Sequence, residues 1–346
     1  MRRVLPLLLL GSLATAADYQ PEVNAPAIEP KLLFVLRCGG AGDQWFPNLQ
    51  IKGGVVSAAD DTGALGLTVT IKNDDTLKAV VSGSRDTGSK VQKQMPNGGK
   101  LGPITYGYRQ VDPNLQLPFM DGPGWKLWGW TLDQAKTAKC KFAPLMADSR
   151  IRHALMTPAG TIVAMASTDG GNTSLRAHPA DINQTLDPKV GNSITGGGGG
   201  GASSWIYELT TDGKFQRVLV ARGFVQAAAF DAWGRMLMVG RGVIAKPMAN
   251  GFAYPDGGGV LMVDRGWTAA LLSSHFGLEG KDTESNLWAV AIDSKSGLAA
   301  VAGYVRGGKL TAVNGVQAED GGGTDGFLAV FRLWPAQTGK TTANAP

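Results

Sequence analysis

"IDSKSGLAAVAG", from Ile292 to Gly303, decides how this chain folds. The apolar run "LWAVA" leads into it, a short polar turn from Asp293 ends at Gly297, and a second apolar run follows. That is a hairpin signature, with glycine where the turn needs positive φ. The pattern recurs towards the N-terminus. "FDAWGRMLMVG" turns at Asp231 to Gly234, "MTPAGTIVAMAS" at Pro158 to Gly160, and "ADDTGALGLTVTI" at Asp61 to Gly63.

Each hairpin is followed by a longer loop, glycines, and a third apolar or aromatic strand. These entries read "EDGGGTDGFLAVFRLW" from Glu319, "PDGGGVLMVDRGW" from Pro255, "GGGGGGASSWIYELTTDG" from Gly196 and "PNGGKLGPITYGYRQ" from Pro96. A fourth strand follows in "WTAALLSSHFG" from Trp267, "FQRVLVARG" from Phe215 and "GWKLWGWTL" from Gly124. The turn glycines at 63, 160, 234 and 297 define four units, with spacings of 97, 74 and 63 residues. The last unit lacks a fourth strand, and the chain opens with an orphan one, "KLLFVLRCGG" from Lys31. The pattern predicts an all-β propeller of four blades with four antiparallel strands each, closed by the N-terminal strand; five blades is the alternative. Side-chain size fits a tapering blade, with Ala227–Ala229 and Ala299–Ala300 in the hairpins and Phe34, Trp125, Trp128 and Trp130 in the outer strands.

The chain resembles the bacterial secreted β-propeller repeat family. The resemblance lies in "RCGGAGDQWFPNLQI" from Arg37, "LWAVAIDSKSGLAAVAGY" from Leu287 and "GGGTDGFLAVFRL" from Gly321. It implies a repeat-built scaffold and brings no catalytic residues with it.

The first residues predict export. "MRR" is a basic start, "VLPLLLLGSLA" is an apolar stretch too short to span a bilayer, and Ala14-Thr15-Ala16 fits a cleavage site. The expected organisation is a signal peptide over 1–16, a Pro-rich tether over 17–30, the propeller over 31–334 and a loose tail over 335–346. Cleavage near Ala16 leaves a secreted or periplasmic chain. Loss of Arg2 and Arg3 takes the formal charge from +5 to +3, with no dense basic block, so nucleic acid is not an expected partner. No later stretch is long and apolar enough to cross a membrane, and a monomer is expected.

Chemical signatures are sparse. "GYVRGGKL" imitates a phosphate loop, but Leu310 stands where a Ser or Thr would hold magnesium. His153, His178 and His275 lack the spacing of a metal site, so neither metal nor cofactor is expected. Export permits a disulfide between Cys38 and Cys140, the two cysteines, whereas equivalent places on neighbouring outer strands argue against it. Asp256, Asp282, Glu284, Glu319 and Asp320 fall in loops that a propeller presents on one face. Solvated loop carboxylates are one reading; convergence for acid–base work is the other. Trp125 is a candidate for stacking on a sugar, or for packing between blades.

Two functions follow. The first is an exported, non-enzymatic protein that binds an extracellular protein or glycan through long loops at 72–98, 168–201, 241–258 and 304–322, with Trp125, Glu319 and Asp320 as binding residues. The second is an extracellular polysaccharide hydrolase or lyase using Asp256, Asp320, Asp282 and Glu284.

Overall fold

The structure is a computed structural model. It describes residues 24–39, 43–61, 63–83, 98–113, 115–129, 149–168, 191–192, 203–242, 248–314 and 322–335. The predicted signal peptide, the six-glycine run, Cys140, Glu319 and Asp320 lie outside these residues.

Among the described residues the chain is all-β, with twenty-one strands in five sheets that are antiparallel apart from one short parallel pair. Strand β1 (Lys31–Cys38) is set aside at the start. The first sheet is β2 (Asn48–Lys52), β3 (Val55–Ala59), β4 (Leu65–Ile71) and β5 (Leu77–Gly83). The second is β6 (Gly98–Leu101), β7 (Ile104–Asp112), β8 (Leu115–Gly122) and β9 (Trp125–Trp128). The third has β10 (Ser149–Met156), β11 (Ile162–Thr168), β13 (Ser203–Leu209) and β14 (Phe215–Arg222), with the two-residue β12 (Gly191–Asn192) parallel to β14. The fourth is β15 (Phe224–Phe230), β16 (Met236–Arg241), β17 (Gly258–Val263) and β18 (Ala270–Phe276). The fifth is β19 (Glu284–Asp293), β20 (Leu298–Arg306), β21 (Thr324–Arg332) and β1.

Five sheets replace the four units expected from the turn spacing. The long first unit is two sheets. "KLGPITYGYRQ" supplies the first two strands of the second sheet, not a third strand of the first, and the expected loop at 72–98 contains β5. The Asp61–Gly63 turn also joins the second and third strands of its sheet, whereas the other three join the first and second.

The N-terminal strand pairs antiparallel with the last segment, from Lys31↔Arg332 to Cys38↔Gly326, with a one-residue shift between Leu32 and Phe34. A fully buried ion pair accompanies it: Arg37 Nε donates to Asp325 Oδ2. Arg37 Nη1 also donates to the carbonyls of Gly307 and Gly308, at 2.9 and 3.0 Å. The Pro-rich stretch ends packed on protein, with Ala25 and Ile28 against the core and the Pro26 carbonyl accepting from Arg235 Nη1 at 2.6 Å.

Alternation along the middle strands explains their continuous apolar character. In β21, Phe327, Ala329 and Phe331 enter the layer shared with the fourth sheet, while Leu328 and Val330 enter the layer shared with the first. In β11, Ile162 and Ala164 face the second sheet while Val163 and Met165 face the fourth. Strands buried on both faces have no polar side, so period-two polarity vanishes.

A bulge recurs on the first strand of three successive sheets. The register shifts between Ile151 and His153, between Val225 and Ala227, and between Leu287 and Ala289. The extra residues are Arg152, Gln226 and Trp288, each five positions before its turn residue Thr157, Asp231 or Asp293. At two of these bulges a glycine pairs with the residue before the extra one, Gly240 with Val225 and Gly303 with Leu287. A Cβ at Gly240 would lie 1.9 Å from the Phe224 carbonyl oxygen, and one at Gly303 would lie 1.9 Å from that of Asn286. The fourth and fifth sheets are level: the Ala232 amide donates to Ser294 Oγ at 2.8 Å, joining equivalent residues of the two turns.

Candidate functional site

The end of the sheets opposite these turns carries the polar cluster with the most chemistry. Glu284 opens β19 there, directly across from Arg306 on β20. Tyr304 Oη donates to Glu284 Oε1 at 2.8 Å. Arg306 Nη2 lies 3.4 Å from Oε2, and Arg241 Nη2, from the end of β16, lies 3.3 Å from Oε1. Glu284 is largely covered, at 21% side-chain exposure, whereas Arg241 and Arg306 are 57% and 50% exposed. Two sheets therefore grip one carboxylate, and the guanidinium groups keep open sides for a ligand. Burial raises the Tyr304 phenol, and its hydrogen bond to the Glu284 carboxylate raises it further, against a smaller opposing pull from Asn286. Tyr304 is thus a neutral donor.

An aromatic wall stands beside this group. Trp45, from the segment between β1 and β2, meets Trp288 edge-to-face at 5.3 Å between centroids and 79° between planes. Both pack with Tyr304. The wall carries polar atoms with no partner among the described residues: the indole Nε1 of Trp45 and Trp288, and Oδ1 of the buried Asn286. These atoms are enclosed, so the surface a ligand can reach here is the open side of the Arg241 and Arg306 guanidinium groups.

The carboxylates singled out from sequence separate into different settings. Glu284 is in this cluster. Asp256 is exposed and accepts from His275 Nδ1, 2.8 Å away on β18. Asp282 is exposed on a left-handed turn at φ 53°. Trp125 lies between sheets: it packs against the layer shared by the second and third, and its Nε1 donates to the Thr211 carbonyl at 2.7 Å. Among the described residues no group of three His, Cys, Asp or Glu side chains is arranged to hold a metal ion.

Sequence reasoning missed Arg241, Arg306, Tyr304, Asn286, Trp45 and Trp288. The alternation of Glu284, Asn286 and Trp288 along one strand was visible, but the bulge that re-aims Trp288 was not.

No protein-family model matches the chain, and no curated protein matches it. Several solved structures show a likeness. The PQQ-bound aldose sugar dehydrogenase of Streptomyces coelicolor is 14% identical over 89% of this chain and 100% of that one, with a TM-score of 0.30. PhoX of Pseudomonas fluorescens is 11% identical over 83% of this chain and 53% of its own, with a TM-score of 0.32. A protein from Lactobacillus plantarum is 11% identical over 79% and 70%, with a TM-score of 0.29. Likeness at this level says nothing of chemistry. No helix among the described residues is long and apolar enough to cross a membrane.

Proposed function

We propose that the chain is an exported, non-enzymatic binding protein of the secreted β-propeller repeat type, its five sheets closed into a ring by β1. The ring reading is supported by the pairing of β1 with β21 and by the four apolar layers that join successive sheets. The working surface is the end bearing Glu284, and the ligand is an extracellular glycan or protein.

One observation carries this reading. Glu284 is balanced by Arg241 and Arg306 and fixed by Tyr304, next to an aromatic wall with unpartnered polar atoms. Glu284 is engaged on both oxygens, by Arg241 and Tyr304 on one and Arg306 on the other. A carboxylate engaged this way orients the donors around it. Flat rings beside fixed polar groups suit sugar faces or an apolar–polar peptide edge.

The test is retention of the mature chain on a glycan array and on immobilised envelope or matrix extract, beside an R241A/R306A variant. Retention that falls about tenfold in the variant supports the reading, as expected when two charge-assisted contacts are removed. Turnover of a polysaccharide, abolished in E284Q, would replace it with the hydrolase or lyase. Absence of any ligand would end both.

A further inference from the structure

A second group of cations lies on β10, between the second and third sheets, and the Glu284 cluster does not use it. Arg150 Nε donates to Gln116 Oε1 on β8, and its guanidinium carbon lies 5.0 Å from the centroid of the Tyr108 ring on β7. Arg152 Nε donates to Ser167 Oγ on β11. Both arginines are part-buried, and no carboxylate among the described residues lies within ion-pair distance of either. Their Nε atoms are thereby fixed, and the Nη atoms, which form the recognition edge of each fork, have no described partner.

The two charges also work against each other. Burial lowers the proton affinity of Arg152, and the neighbouring Arg150 lowers it further, with Tyr108 opposing. Burial pushes the next residue, His153, down to about 4, so at neutral pH it adds no charge. Two like charges held side by side in a part-buried place repel, and a bound anion would relieve that repulsion.

The fold does not require guanidinium groups here. Counted from the bulge, Arg152 corresponds to Gln226 and Trp288, and Arg150 to Phe224 and Asn286. The same backbone device therefore carries neutral residues in two other sheets. What distinguishes the third sheet is two guanidinium groups on one strand, each fixed through Nε, whose Nη atoms have no described acceptor. Planar forks of this kind match the oxygen spacing of carboxylate, sulfate and phosphate.

We infer that Arg150 and Arg152, with Ser167, Gln116 and Tyr108 around them, form an oxyanion-binding site that takes a carboxylate, sulfate or phosphate group. This goes beyond the proposed binding role and does not rest on it, since the Glu284 cluster belongs to the fourth and fifth sheets.

The test is calorimetric titration of the full mature chain with sodium sulfate, sodium phosphate and sodium acetate, at ionic strength held constant with chloride. Saturable one-to-one binding of at least one anion is expected, and the three arms separate tetrahedral from planar oxyanions. R152Q should weaken it at least about tenfold, and R152K should weaken it less, since lysine keeps the charge but not the fork. In chloride alone, R152Q should melt at or above the wild-type temperature, because one of two repelling charges is gone. K214Q, at an exposed turn of the same sheet, should bind as the wild type does. If R152Q fails to fold, R152K and R150K with unchanged circular dichroism carry the readout. The inference is overturned if none of the three anions binds saturably at millimolar concentration, or if the arginine variants bind as tightly as the wild type.

Discussion

Arg37 illustrates what a single buried residue does in this chain. Its side chain is fully enclosed, pairs with Asp325 at the mouth of β21, and caps two carbonyls of the segment after β20. The same region is tied by the Asp43 carboxylate, which accepts from the Thr324 amide at 2.9 Å. Replacing Arg37 by Met removes the cation paired with the enclosed Asp325 carboxylate, and R37M should lose about 3–5 kcal/mol in urea unfolding. The double variant R37M/D325L should lose clearly less than R37M, because it removes both members of the enclosed pair. Equal losses would mean that the pair is not coupled. Neither partner looked special in the sequence. Arg37 sits at the end of an apolar strand and Asp325 follows a glycine cluster, and only the pairing of residues 288 apart makes them one unit.

At the scale of elements, the bulge on β15 and β19 sets the position of the strand that follows. Gly240 and Gly303 face it so closely that any side chain collides with backbone. G303A should cost about 1–3 kcal/mol by overpacking, read from the shift in denaturation midpoint. G242A, where a Cβ meets nothing within 4 Å, should cost only the left-handed backbone penalty, about 1–2 kcal/mol. The hairpins at Gly160, Gly234 and Gly297 were legible because turn chemistry is local and their flanking strands are buried. The division of the first long unit was not. In β2 and β5 few side chains are buried, so neither strand displays an apolar run. The two-glycine turn at Gly53–Gly54 therefore had an apolar strand, β3, on one side only.

At the scale of the molecule, Asp75 links two sheets. It accepts from Lys31 on β1 and from Arg332 on β21, at 2.7 Å each, from the turn between β4 and β5. Burial alone would raise its carboxyl, but the bonds from Lys31 and Arg332, with their charges, override this and hold it below the usual Asp range. A lowered folded-state value means stabilisation that is complete above the unfolded-state value and fades as pH falls through the folded one. D75N, which keeps an amino acid tolerant of the left-handed φ of 65°, should therefore lose about 1 kcal/mol at neutral pH and converge on the wild type in strong acid. A constant difference across that range would show that the charge does not matter. The sequence by itself determined an all-β repeat, its hairpins and the two strands, β1 and β21, that meet across the length of the chain, because turn residues and apolar runs act within a few positions. The number of sheets, the bulges, and the assembly of Glu284 with Arg241 and of Arg150 with Arg152 were decided only by tertiary structure. These depend on which strands lie side by side, and side-chain alternation within one strand does not encode its neighbour.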